Sequence, residues 1–250
     1  MGNVLFNLST AALMVLLFKA GVALVGPDTI PQRRIPWTAV AVLTVALTGV
    51  VTQLCWTGAM NAFDAEPARS GWWRVITSVF LQNGGFLGGA WNIVTLAAVA
   101  ALAEWFWGGP LMLALFLAGI LLPQHVDALF MEASRSTDPR NFAGSSGATY
   151  FLAATLAAGL LLRTRNGKER LLAVSAPVLG LAMWFAQENG HGLVVVYGFV
   201  LGALVWGLGH RLIRPDRDLE KAPRVAVSTL TASFPLVSRR WSAGDSNTSA

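Results

Sequence analysis

Three polar residues stand at the starts of apolar runs, where neither lipid nor a hydrophobic core suits them: Asn92 in LGGAWNIV, Ser146 in FAGSSGATYF and His191 in ENGHGLVVV. Their chemistries form a set. A serine hydroxyl is a weak nucleophile until a nearby base takes its proton, and a neutral imidazole suits that task near pH 7. An asparagine amide can donate a hydrogen bond to the oxyanion formed when a carbonyl is attacked. A serine that opens a helix adds its own backbone N–H, one of the donors a helix N-terminus leaves unpaired, beside the positive end of the dipole. These are the parts of acyl transfer through a serine nucleophile, without an acidic third partner.

Such parts need elements that bring them to one place. Of the 250 residues, 54% are hydrophobic and only 12% charged. A soluble domain carries about 25% charged residues, so this chain lacks the charge to coat a water-facing surface. Its apolar runs instead approach the ~20 residues that cross a bilayer core. The expectation is a polytopic membrane protein of the all-α class, because lipid offers the backbone no partners and no barrel-like alternation occurs. The net charge of +5 then reports orientation before any nucleic-acid partner. The single cysteine, Cys55, excludes an intramolecular disulfide or a CxxC redox motif and reads as a buried small hydrophobe. No HExxH or other metal-ligand spacing occurs, which argues against a membrane metalloprotease.

Seven spans are expected, at 4–25, 37–60, 86–106, 110–128, 144–162, 171–187 and 191–209, the fourth interrupted by Gln124, His125 and Asp127. The first reads as a retained span rather than a leader, with Lys19 reaching toward a membrane face. Three basic clusters follow the first, fifth and last spans: Arg33 and Arg34; Arg163, Arg165, Lys168 and Arg170; and Arg211, Arg214, Arg217, Lys221 and Arg224. Threading puts all three on one side, which the positive-inside rule makes cytoplasmic, with the N-terminus outside. The third, fifth and seventh spans then start at the outer face, so Asn92, Ser146 and His191 share one depth. Residues 61–85, with Trp72 and Trp73, are expected to embed partly at that interface. Residues 210–250 read as a mostly disordered cytoplasmic tail. No internal repeat supports a transporter architecture.

Gly198 and Gly202 follow His191 at +7 and +11, on one helical face, and Tyr150, Ala153 or Ala154, and Ala157 follow Ser146 on another. Small residues at such spacing let transmembrane backbones approach closely. Ser146 and His191 are therefore expected to meet across a seam.

Gly144-Ser145-Ser146-Gly147, Tyr150 four residues after the serine, His191 with its glycines, Trp73-Arg74, Asn92 and Glu104 occur in that arrangement over residues 37–209. With this set the chain resembles the rhomboid family of intramembrane serine proteases. The resemblance implies a six-helix core, 37–209, plus one extra N-terminal helix with a basic linker, 1–36. It implies Ser146 as nucleophile and His191 as base, with Tyr150 packed on the histidine. Asn92 and the Ser146 N–H would hold the oxyanion, with Gly144, Gly147, Gly198 and Gly202 in support and Arg74 holding the outer loop. It implies endoproteolysis of transmembrane segments by a Ser-His dyad, in the plasma membrane and toward its outer face. The partners would be transmembrane substrates and the lipid bilayer, with no nucleic acid, cofactor or metal; the sequence sets no oligomeric state. The chain departs from the family at Gly88, where a histidine often donates to the oxyanion. It departs also near Ser78 and Gln82, where the loop usually carries histidines, leaving Gln82 or Asn83 to substitute.

Plainer readings compete. Ser146 alone would be a helix-packing serine, and Asn92 a helix–helix hydrogen-bonding residue. Ser145 is the rival nucleophile. His125 and Asp127 read as interfacial, and Glu104 as pairing or capping at the opposite helix ends, where His210 also lies. The main alternative function is a catalytically inactive rhomboid-like protein that binds transmembrane partners, favoured by Gly88. A solute transporter or channel is opposed by the scarcity of charge inside the spans.

Overall fold

The computed structural model describes residues 2–66, 70–129, 143–211, 213, 215, 219 and 226–228. They form α1 (Gly2–Val25), α2 (Trp37–Cys55), α3 (Ala59–Phe63), α4 (Arg74–Thr77), α5 (Gly85–Trp107), α6 (Gly109–Leu129), α7 (Ser146–Arg163), α8 (Gly167–Gln187) and α9 (Gly190–Gly209). No strand occurs among the described residues, where a single isolated bridge joins Arg34 and Ala226. Six helices, α1, α2, α5, α7, α8 and α9, are long and apolar enough to cross a membrane, and the chain is a multi-pass helix bundle. The apolar part of α6 stops at Pro123, where the polar run begins. Side chains 124–129 and most of the expected tail, 210–250, lie outside the described residues, and with them the roles expected for His125 and Asp127.

The long helices alternate in direction. Ala39 at the start of α2 meets Glu104 at the end of α5, and Gln53 near the end of α2 meets Gln82 just before α5. Gly109 of α6 lies against Thr38, and Gly119 against Phe151 of α7. Gln187 at the end of α8 meets Ser9 of α1. Thus α1, α5, α7 and α9 run one way, and α2, α6 and α8 return. The described basic residues Arg34, Arg163 and Arg211 gather at the end where α5, α7 and α9 finish.

α7 is the axis of the bundle. Every residue from Ala148 to Leu160 is buried, because α1, α5, α6, α8 and α9 all pack around it. The closest approach is to α9. A Cβ on Gly202 would lie 2.6 Å from Thr155 Cα, and one on Gly198 would meet the Phe151 carbonyl. The glycine face of α9 is as expected, but it rests on Phe151 and Thr155 rather than on the Tyr150–Ala153–Ala157 face. Tyr150 turns instead toward α1 and His191.

Other details depart from the sequence reading. Helix α2 stops at Cys55, not residue 60, since Trp56 takes extended backbone. Cys55 is exposed, because it ends α2 on the face turned away from the bundle. On that helix Thr44, Thr48 and Thr52 each return a hydroxyl hydrogen to the carbonyl four residues back. Such bonds let hydroxyls face lipid without an unmet donor. Arg33 is 1% exposed. Its guanidinium donates to the carbonyls of Val25 and Pro215, satisfying an acceptor that the end of α1 leaves open. The described part of the tail also packs at this end: the Val227 N–H donates to the Arg33 carbonyl at 3.1 Å. Glu104, 4% exposed, accepts the Ala39 N–H at 2.7 Å and so caps the first turn of α2.

The α7–α9 contact leaves no room for a methyl group. Gly198→Ala is expected to lower the unfolding free energy by about 1–3 kcal/mol, the range for overpacking. Gly207→Ala, whose Cβ would meet nothing within 4 Å, should be neutral. Denaturant unfolding of the two variants in the same detergent checks the difference.

Candidate active site

The starts of α5, α7 and α9 converge at one end of the bundle. Helix α7 begins at Ser146, two residues later than the span expected from 144, because Gly144 has φ +139°, a region that favours glycine. Ser145 is the N-cap and makes no side-chain capping bond. The Ser146 N–H therefore belongs to the donors that a helix N-terminus leaves without an intrahelical acceptor.

Across the seam, His191 Nε2 lies 3.1 Å from Ser146 Oγ. Both residues are half-buried, whereas Ser145 is completely buried. Ser145 instead faces Gln82, whose Nε2 lies 3.4 Å from its hydroxyl. The geometry separates the two serines: Ser146 faces the imidazole and the rival does not. Tyr150 lies with its ring centroid 4.9 Å from that of His191, at 64°. Its hydroxyl donates to the Thr10 carbonyl at 2.7 Å.

The third expected member sits beside them. A Cβ on Gly144 would lie 3.6 Å from Asn92 Nδ2 and 3.9 Å from Ser146 Oγ. Gly144 thus keeps open a small space between a hydroxyl and an amide donor. Asn92 Nδ2 also donates to Gln82 Oε1 at 2.8 Å. An amide nitrogen carries two hydrogens, so one remains for a ligand in that space. Gln82 is itself fixed by α2, exchanging two bonds with Gln53 at 2.8 and 3.0 Å. Of the two expected substitutes, Gln82 therefore borders the site, while Asn83 accepts the Gly84 N–H in its own turn. A Cβ on Gly88 would meet only the Asn83 carbonyl, at 3.4 Å, and Gly147 has open space above it.

The segment between α3 and α5 holds this arrangement from one side. Ser78 contributes its carbonyl, which accepts the Gly144 N–H at 3.0 Å. Arg74 does not reach the site. It donates to the carbonyls of Asn61, Asp64 and Ser70 and pairs with the Asp64 carboxylate at 3.5 Å, tying the loop together. His210 lies at the far end, beside the Gly207 carbonyl. No group of three or more His, Cys, Asp or Glu among the described residues could hold a metal ion.

Sequence reasoning passed over Asn189. It is the N-cap of α9, completely buried, and its Oδ1 lies 3.1 Å from both the backbone N and the ring Nδ1 of His191. The signal was available, since asparagine directly before a glycine and an apolar run is a common N-cap.

Comparison with family models, curated proteins and solved structures finds no match to this chain.

Gly144→Ala should strain the backbone and fill the space between Asn92 and Ser146. We expect it to slow reaction of Ser146 with a serine-directed fluorophosphonate by about 10²–10³-fold, the loss typical of an oxyanion donor. Labelling kinetics, with a circular dichroism spectrum to show retained helix, check this.

Proposed function

We propose that the chain is a rhomboid-type intramembrane serine endopeptidase that cleaves transmembrane segments of other membrane proteins. The observation that carries the reading is the 3.1 Å contact between His191 Nε2 and Ser146 Oγ, made at the mouth of a bundle of apolar helices. A hydroxyl and an imidazole at that distance are within reach of proton transfer.

In this reading Ser146 Oγ attacks a peptide carbonyl as its proton passes to His191 Nε2. The carbonyl oxygen becomes an oxyanion in the space beside Gly144, where the Asn92 amide and the Ser146 N–H can donate to it. The C–N bond then breaks, and His191 gives its proton to the departing amine. Water, deprotonated by the same histidine, hydrolyses the acyl-enzyme and restores Ser146. A substrate helix must unwind locally first, because its own backbone bonds shield the carbonyl. The basic end opposite the site supports a cytoplasmic C-terminus and a site toward the outer face.

Two observations favour a second reading, an inactive protein that binds transmembrane partners. Asn92 already donates to Gln82, and no histidine stands at Gly88. Covalent reactivity separates the two. Under the protease reading the purified protein is labelled by a fluorophosphonate probe, and both Ser146→Ala and His191→Ala lose that labelling. Folded wild type that stays unlabelled beside a reactive control supports the binding-only reading.

A further inference from the structure

From the hydrogen-bond chain Thr10–Asn189–His191 we infer that α1 and Asn189 are positioning elements of the site, holding His191 in the Nδ1–H tautomer that leaves Nε2 free to accept the Ser146 proton. The consequence for catalysis rests on the proposed protease reading; the tautomer itself does not.

The direction of every bond in this chain is determined by its neighbours. The backbone N–H of His191 can only donate, and it points at one side-chain atom of Asn189 at 3.1 Å. That atom must therefore be the carbonyl oxygen, which fixes the flip of the amide. His191 Nδ1 lies 3.1 Å from the same oxygen. An unprotonated ring nitrogen would face a lone pair there, so Nδ1 carries the hydrogen. In a neutral imidazole Nε2 is then the acceptor, and Nε2 is the atom that faces Ser146.

The other end of the amide closes the argument. Asn189 Nδ2 lies 2.9 Å from Thr10 Oγ1, and Thr10 directs its hydroxyl hydrogen to the Phe6 carbonyl at 2.7 Å. Thr10 is thereby an acceptor toward Asn189, in agreement with the flip set by the His191 N–H. The Thr10 carbonyl also receives the Tyr150 hydroxyl, so one residue of α1 anchors both groups that touch the histidine. Ser9 adds a bond to Gln187 at 2.8 Å, fastening α1 to the segment that leads into Asn189. Asn189 is completely buried, so water cannot readily replace these bonds.

The role resembles that of the third member of a catalytic triad, which holds an imidazole in one tautomer and orientation. Here a neutral amide fills it, and its orientation depends on a helix 179 positions away in sequence. The N-terminal helix is thus part of the site.

The test is nitrogen NMR of the protein labelled with ¹⁵N-histidine, together with probe labelling. The signal of His191 is identified among the three histidines by its loss in His191→Ala. Expected for wild type is a protonated Nδ1 and an unprotonated Nε2. Thr10→Val, which keeps the shape but removes the hydroxyl, should populate the other tautomer, and Thr10→Ser should keep the wild-type one. Asn189→Ala should do as Thr10→Val does and slow labelling by up to the about 10²–10⁴-fold that a positioned base supplies. A wild-type His191 carrying its hydrogen on Nε2 overturns the inference, as does a Thr10→Val protein with unchanged tautomer and labelling rate. Wild type with the expected tautomer but no labelling leaves the positioning inference standing and removes the protease reading instead.

Discussion

The arrangement at the mouth of the bundle depends on how closely the backbones of α7 and α9 approach. Gly198 and Gly202 let α9 lie directly on the carbonyl of Phe151 and the Cα of Thr155. A lipid-solvated bundle has no hydrophobic effect to pull its helices together, so packing of small residues supplies much of the association. One turn of separation more at this seam would carry His191 out of reach of Ser146. Below the seam, Thr155 accepts from Trp107 at 3.0 Å, and Phe106 stacks on Trp206, so the far end of the contact is locked as well.

The second constraint is that polar groups inside such a bundle must satisfy one another. Most of them here do so through a partner distant in sequence. Gln53 of α2 holds Gln82, Gln82 meets Asn92 and Ser145, and Ser78 holds Gly144. On the opposite side Thr10 holds Tyr150 and Asn189, and Asn189 holds His191. Ser146 therefore stands between two polar networks, one from the segment before α5 and from α2, the other from α1. In a medium of low dielectric an unmet donor is costly, which makes each network all-or-none and the geometry at Ser146 correspondingly rigid.

Much of this was legible in the sequence. Hydropathy located the long helices to within a few residues, and the polar residues at their starts pointed to Asn92, Ser146 and His191 at one depth. Glycine spacing after His191 identified the face of α9 that would be approached. The exposed Cys55, the buried Arg33 and the partners of Gly198 were not legible, because each depends on which side of a helix faces a neighbour. The faces of α7 carried no signal, since a helix enclosed on all sides is apolar all round. Ala153, Ala154 and Ala157 are buried whichever neighbour they meet.

By itself, then, the sequence determined the helical class, the order of the spans and the identity of the nucleophile and base candidates. All of these follow from local periodicity and from the cost of polar groups in lipid. Only the tertiary structure decided that Gln82 borders the site and that the first helix supports it through Thr10. These are matters of direction, of which side chain and which lone pair point at which partner. Direction is set when helices far apart in the chain pack against one another, and no run of neighbouring residues encodes it.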